Sequence, residues 1–167
     1  MKHIITASAK QTFNSAKKFA SQLRGGQIIG LVGELGAGKT IFVKGLAAGL
    51  GIKKNITSPT FVLMKIYPVK LSRHERVSGS ARFNKVNKIT KIKTLNLKSK
   101  TLNLVHIDTY RLKSAKDILA IGAQEYLGRI SAVTVIEWAD RVKKILPKKT
   151  KFVNIINKGE NKRLIKY

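Results

Sequence analysis

The residues best suited to chemistry stand together as Gly33-Glu34-Leu35-Gly36-Ala37-Gly38-Lys39-Thr40. They satisfy the pattern G-x-x-x-x-G-K-[ST] at every fixed position. The chemistry such a loop performs is the gripping of a nucleotide triphosphate, a dense anion. Glycines let backbone N–H groups from Gly36 to Thr40 turn tightly and converge on the β-phosphate. A helix starting there adds the positive end of its dipole. Lys39 is placed to reach the β- and γ-phosphates, and the Thr40 hydroxyl to hold Mg²⁺. The loop residues Glu34, Leu35, Gly36, Ala37, Gly38, Lys39, Thr40 and Ile41 form the candidate nucleotide-binding set. The alternative is a glycine-rich turn, with strand, loop and helix in register by chance.

Hydrolysis needs more than a cradle. Mg²⁺ takes oxygen ligands and keeps several waters, and a carboxylate ending an apolar strand beside the loop is the usual second anchor. Two residues compete for that place. Glu137 follows the apolar run Ala132-Val133-Thr134-Val135-Ile136, and Asp108 follows Leu102-Asn103-Leu104-Val105-His106-Ile107. Glu137 has the cleaner β-branched run and is assigned to Mg²⁺, directly or through water. Asp108 then orients the attacking water or touches the metal through water. Against both stands the plainer reading of a strand-end carboxylate in a turn, or paired with Arg111. Arg111 either neutralises transition-state charge or braces Asp108, and its nearness in sequence favours bracing. Trp138 packs on the rim, touches a partner or belongs to the core.

These residues need elements to position them. The apolar run Gln27–Val32 reads as a buried strand before the loop. Ile41, Phe42, Leu46 and Leu50 recur at helical spacing after it, and Gly51 supplies a stop. Upstream, His3–Ala7 reads as a short strand. Ser8 and Gln11 match a capping box for a helix with Phe13, Ala16, Phe19, Ala20 and Leu23 on one face. Residues 57–67 read as a turn followed by an alternating strand, with Pro59 keeping Ser58 extended. The hydroxyls of Thr57, Ser58 and Thr60 either sense the γ-phosphate or serve simple turn chemistry. A helix is expected over 114–122, continued or followed by another at 123–128, and a short one from Val142 to Leu146 ending at Pro147. Phe152–Ile156 and Arg163–Tyr167 pair as a hairpin about Lys158-Gly159-Glu160-Asn161. Strands alternating with helices predict an α/β fold of P-loop NTPase type. It has three layers: a mostly parallel sheet, helices on both faces and a C-terminal antiparallel hairpin at its edge. Strand C-terminal ends face the ligand crevice in such sheets, which puts Gly33, Asp108 and Glu137 on one rim.

A chain of 167 residues is one domain's worth, so 1–167 is read as a single domain. The absence of cysteine excludes a disulfide framework, a thiolate metal site and a thiol nucleophile. Three scattered histidines argue against zinc. No apolar run approaches a membrane span and no secretory signal opens the chain, so a cytoplasmic protein is expected. The charge is extreme, 34 basic residues against 8 acidic for a net +26. Residues 1–69, 70–101 and 141–167 each carry ten basic and one acidic residue. Only 102–140 escapes, with four basic and five acidic, which marks it for cation chemistry. Such a field favours a polyanion such as RNA. It equally fits the Lys-, Ile- and Asn-rich drift of proteins from AT-rich genomes.

Residues 70–101 form a distinct basic stretch. Lysines from Lys85 to Lys100 alternate loosely with Val86, Ile89, Ile92, Leu95 and Leu97, and Thr94–Leu97 recurs as Thr101–Leu104. The stretch reads as a mobile loop at 70–84 and a possible extra strand at 86–98. The four-residue repeat is too short for a solenoid.

Five motifs together resemble the TsaE (YjeE) family, small bacterial ATPases of tRNA threonylcarbamoyladenosine synthesis. They are Gly33–Thr40, Ser58-Pro59-Thr60-Phe61, His106–Leu112, Glu137-Trp138 and Leu146-Pro147, and their order covers the chain from about residue 3 to its end apart from 70–101. The resemblance implies slow ATP hydrolysis with Mg²⁺. It implies association with a TsaB–TsaD heterodimer that modifies the adenosine beside the tRNA anticodon, the ATPase resetting or activating that complex without performing the transfer. It carries Lys39, Asp108 and Glu137 over as catalytic residues, with Thr40 and Glu137 on the metal. Ser58 and Thr60 would face the γ-phosphate and partner. Family members have a short connection where 70–101 lies, and the longer basic one here is expected to meet tRNA or an acidic partner face. Two other classes remain open: a P-loop kinase of a small substrate, and a basic RNA-binding module with a vestigial nucleotide site.

Overall fold

A computed structural model describes residues 2–69, 102–114 and 116–167. Its elements are β1 (His3–Thr6), α1 (Ala9–Ala20), β2 (Ile28–Val32), α2 (Lys39–Gly49), β3 (Met64–Val69), β4 (Leu102–Asp108), α3 (Asp117–Ala120), β5 (Ala132–Glu137), β6 (Lys151–Asn157) and β7 (Arg163–Lys166). Two 3-10 segments, Ala123–Glu125 and Ala139–Ile145, flank β5.

The strand with the most continuous apolar run ends up in the middle. Ile28 to Leu31 are buried on both faces, as a central parallel strand requires. The order is β1-β7-β6-β2-β5-β4-β3. β6, β2, β5 and β4 run parallel, and β3, β7 and β1 are antiparallel to their neighbours. The expected α/β architecture is present, and the C-terminal hairpin is β6–β7. It is not the edge, however: β1 pairs outside it through Ile4–Ile165 and Ile5–Leu164, so the chain's first strand covers its last.

Alternation along each strand separates two cores. Leu104, Val133, Val135, Val153 and Ile155 face α1 and α2 with Phe19, Phe42 and Leu46. Val105, Ile107 and Ile136 face the other way, with Ile118 of α3 and Val142. α1 and α2 lie unusually close. A Cβ on Gly45 would sit 2.3 Å from the Phe13 carbonyl oxygen, and one on Gly49 would sit 2.5 Å from the Ala20 Cβ.

Several boundaries differ from expectation. Ser8 caps α1 by accepting from Gln11 N, but the Gln11 side chain accepts from Ala7 N instead of Ser8 N. Thr12 is the buried first-turn residue, tied to Thr6 at 2.8 Å, while Phe13 is only half-buried. β3 begins at Met64, because residues 59–63 close a turn in which Leu63 adopts φ 63°. The helix expected over 114–122 shrinks to α3. The Asp117 carboxylate accepts from the Lys113 and Ser114 amides, holding them in a turn, and Gly122 in a left-handed conformation ends the element. The segment expected at Val142–Leu146 starts earlier, at Ala139, and is 3-10.

The loop and extra strand expected within 70–101 lie outside the described residues. Their attachment points do not. Val69 pairs with Leu102 at the far end of β4 from Asp108. At about 3.3 Å per residue, that is roughly 20 Å from the rim bearing Asp108 and Glu137.

Candidate active site

β2 delivers the chain to Gly33, whose φ of 155° and contact with the Ile155 carbonyl leave no room for a side chain. The loop then enters α2 through Gly38 in a left-handed conformation. No side chain caps this helix, so its first amides remain open to an anion. Leu35, Gly36, Gly38, Lys39, Thr40 and Ile41 line a cavity of about 360 Å³, opposite Ser58, Thr60, Asp108, Tyr110, Glu137 and Trp138. Glu34 and Ala37 stand apart from that lining: the Glu34 carbonyl accepts from both Ala37 N and Lys39 Nζ, and Ala37 is buried.

Lys39 is buried, and among the described residues no carboxylate forms an ion pair with it. Its Nζ donates to Gly33 O at 2.7 Å and Glu34 O at 2.8 Å and lies 3.6 Å from the centre of the Trp138 ring. Burial pushes its ammonium below the usual lysine range, while Glu137, Asp108 and Asp140 pull the other way. This is a desolvated positive charge whose hydrogen-bond partners among the described residues are neutral carbonyls, a chemistry suited to a phosphate oxygen.

The two acids share a rim. Asp108 and Glu137 are register partners on adjacent parallel strands. Thr40 Oγ1 donates to Glu137, with both carboxylate oxygens at 3.0 Å. His106 Nε2 lies 2.8 Å from Glu137 Oε1. Asp108 is held differently. Its Oδ2 accepts from Ser58 at 2.7 Å and from Thr60 at 2.5 Å, and its Oδ1 from the Tyr110 amide. The brace expected from Arg111 is not the arrangement found: the guanidinium stacks over Phe61 at 4.2 Å, and the loop hydroxyls take the place beside Asp108.

Trp138 is a left-handed residue with φ 60°. Such a conformation costs on the order of 1–3 kcal/mol and persists only where surroundings over-determine it. Here Thr109 supplies the restraint, its hydroxyl lying within 2.9 Å of the Glu137 and Trp138 carbonyls and its amide bonding the Glu137 carbonyl. The bend lays Trp138 against Lys39 and, at 5.0 Å between ring centres, against Tyr110.

Residue-by-residue reading of the sequence missed His106, Thr109 and Tyr110. The signal for His106 was available: it lies two residues before Asp108 and so shares its face of the strand.

Thr40 and Glu137 offer hard oxygen atoms side by side, a donor set suited to Mg²⁺. Beside them, a free helix N-terminus and a buried ammonium are suited to phosphate.

Comparison with known proteins finds a family that the chain matches. The model of the family described as threonylcarbamoyl adenosine biosynthesis protein TsaE matches residues 6–165. A Treponema pallidum protein named tRNA threonylcarbamoyladenosine biosynthesis protein TsaE is 37% identical, over 90% of this chain and 88% of its own length. The Bacillus subtilis protein of the same name is 30% identical, over 97% and 82%. A crystal structure of Bacillus subtilis YdiB superposes with a TM-score of 0.65 at 28% identity, covering 98% of this chain and 82% of that one.

Proposed function

The chain belongs to the TsaE family, which acts in tRNA threonylcarbamoyladenosine biosynthesis, and from that premise we propose that it binds ATP with Mg²⁺ and hydrolyses it slowly as a subunit working with a TsaB–TsaD type complex. The observation that carries the reading is the convergence on one cavity of a buried Lys39, an uncapped helix N-terminus and two strand-end carboxylates.

Each residue has a part. Lys39 exchanges its two loop carbonyls for β- and γ-phosphate oxygens. The amides of Gly36, Gly38, Lys39 and Thr40 receive the remaining phosphate charge. Thr40 and Glu137 hold the cation, which when bound neutralises charge on the β- and γ-phosphates. Asp108 orients the attacking water, and Ser58 and Thr60 hold Asp108 in place. Trp138 and Tyr110 wall one side against bulk water.

Partner association is supported by exposed apolar side chains: Leu35, which lines the cavity, and Phe61 and Val62, which follow the Thr60 that touches Asp108, are 77%, 82% and 60% exposed. Such side chains suit a protein contact. The basic 70–101 stretch, joined to Val69 and Leu102 at the end of β4 away from Asp108, serves tRNA or an acidic partner face.

The test is reconstitution with TsaB–TsaD type partners, ATP, Mg²⁺ and tRNA. Phosphate release without any small phosphorylated acceptor, and tRNA modification lost with Lys39→Ala, are expected. Modification that survives Lys39→Ala would sink the reading in favour of a vestigial nucleotide site, and one phosphorylated metabolite formed per ADP would make the protein a kinase. Deleting 72–100 should leave phosphate release intact and weaken tRNA affinity and its salt dependence.

A further inference from the structure

We propose that His106 is a positioning residue: its Nε2–H fixes the rotation of the Glu137 carboxylate so that one oxygen faces a nucleotide-bound magnesium ion. This rests on the reading of the site given above and extends it to a side chain that touches neither nucleotide nor metal.

The geometry divides the work. The Thr40 hydroxyl is equidistant from Oε1 and Oε2, so it locates the carboxylate without setting its rotation. His106 meets Oε1 alone, at 2.8 Å. Among the described residues Oε2 is thereby left with only the Thr40 hydroxyl, and Glu137 lines the cavity. A carboxylate offers lone pairs and no hydrogen, so the imidazole must carry its proton on Nε2. Nδ1 is buried and finds no hydrogen-bond partner among the described residues.

Packing alone does not call for this residue. His106 is fully buried in β4, and Leu104, two residues earlier on the same face, fills its space with an aliphatic side chain. An imidazole with one unpartnered nitrogen is a worse filler. What it adds is a donor aimed at Glu137. Groups that orient a metal-binding side chain from behind are worth about 10–100-fold in metal affinity when removed.

The experiment uses the full chain, as wild type, His106→Phe and His106→Gln, with a non-hydrolysable ATP analogue. Analogue affinity is measured in EDTA, and Mn²⁺ titrations of the analogue complex are followed by the electron paramagnetic signal of free Mn²⁺. Metal-free affinity is expected to agree within about twofold in all three. The Mn²⁺ midpoint is expected to rise about tenfold in His106→Phe and by clearly less in His106→Gln, whose amide can still donate. ¹⁵N spectra of the wild type should show His106 protonated at Nε2. An unchanged Mn²⁺ midpoint in a His106→Phe chain that retains metal-free affinity overturns the proposal. So does a bare Nε2, or, if His106→Phe does not fold, an unchanged midpoint in His106→Leu, which cannot donate either. A wild type whose analogue affinity ignores metal overturns both this and the magnesium part of the proposed function; metal dependence indifferent to His106 overturns this alone.

Discussion

Glu137 and Asp108 end neighbouring strands and are register partners, yet the molecule holds them by different means. Glu137 is gripped from within the frame, by Thr40 on the first turn of α2 and by His106 inside the sheet. Asp108 is gripped by the 58–60 loop, whose next residues, Phe61 and Val62, are exposed. A carboxylate fixed by packed elements is ready before any ligand arrives. A carboxylate fixed by a surface loop is only as ready as the loop. Under the proposed function the difference would give Glu137 a constant task, holding the cation, and Asp108 a conditional one, orienting water when loop and partner allow.

The sharpest way to break this comparison is to neutralise each acid. Glu137→Gln and Asp108→Asn should each reduce phosphate release by about a hundredfold or more. Only Glu137→Gln should also raise the Mg²⁺ concentration needed for nucleotide binding. Equal shifts in the two variants would erase the division of labour.

Loosening the loop probes the conditional half alone. Ser58→Ala combined with Thr60→Val removes both hydroxyl donors from Asp108 Oδ2. A carboxylate deprived of charge-assisted bonds worth roughly 1.5–3 kcal/mol apiece turns toward water. Basal phosphate release should fall about tenfold, with the Mg²⁺ midpoint unmoved. Phe61→Ala should leave basal release within about twofold and weaken binding of the TsaB–TsaD type partners about tenfold, as loss of an exposed aromatic anchor does. Partner affinity untouched by Phe61→Ala would detach this loop from the docking surface.

The two halves were not equally legible in the sequence. The Glu137 half was readable because its parts are local patterns. An apolar strand, a glycine loop and a 3.6-residue period each announce themselves within ten or so residues. The 57–67 segment was harder. Its alternation mimics a strand from Thr60 onward, but Asp108 N bonds to the Leu63 carbonyl and the two hydroxyls reach Asp108, so tertiary contacts hold 59–63 as a turn. The α3 region failed for a related reason: a helical period does not reveal that the Asp117 carboxylate will take the backbone amides of residues 113 and 114. His106 sat in plain view, but an apolar strand disguised it until the register placed it diagonally across from Glu137.

The smallest effect expected is a slope with pH, and it weighs the two acids against each other. Burial lowers the pKa of Lys39 below the ordinary lysine value of 10.5, and Glu137 opposes that more strongly than Asp108 does. The triphosphate needs the ammonium form. Metal-free nucleotide affinity should therefore be flat below the lowered value and decline a few-fold as pH rises through it, whereas Lys39→Arg, charged throughout, should show a flat profile. Glu137→Gln should move the onset of the decline to lower pH, and Asp108→Asn should move it less. Folding must respond with the opposite sign. Over the window between the lowered pKa and 10.5 the unfolded chain binds the proton and the folded chain does not, so the contribution of Lys39 to stability rises with pH where nucleotide affinity falls. Denaturant midpoints and nucleotide titrations across that window should slope in opposite directions in the wild type, and the slope assigned to this residue should vanish from both in Lys39→Met.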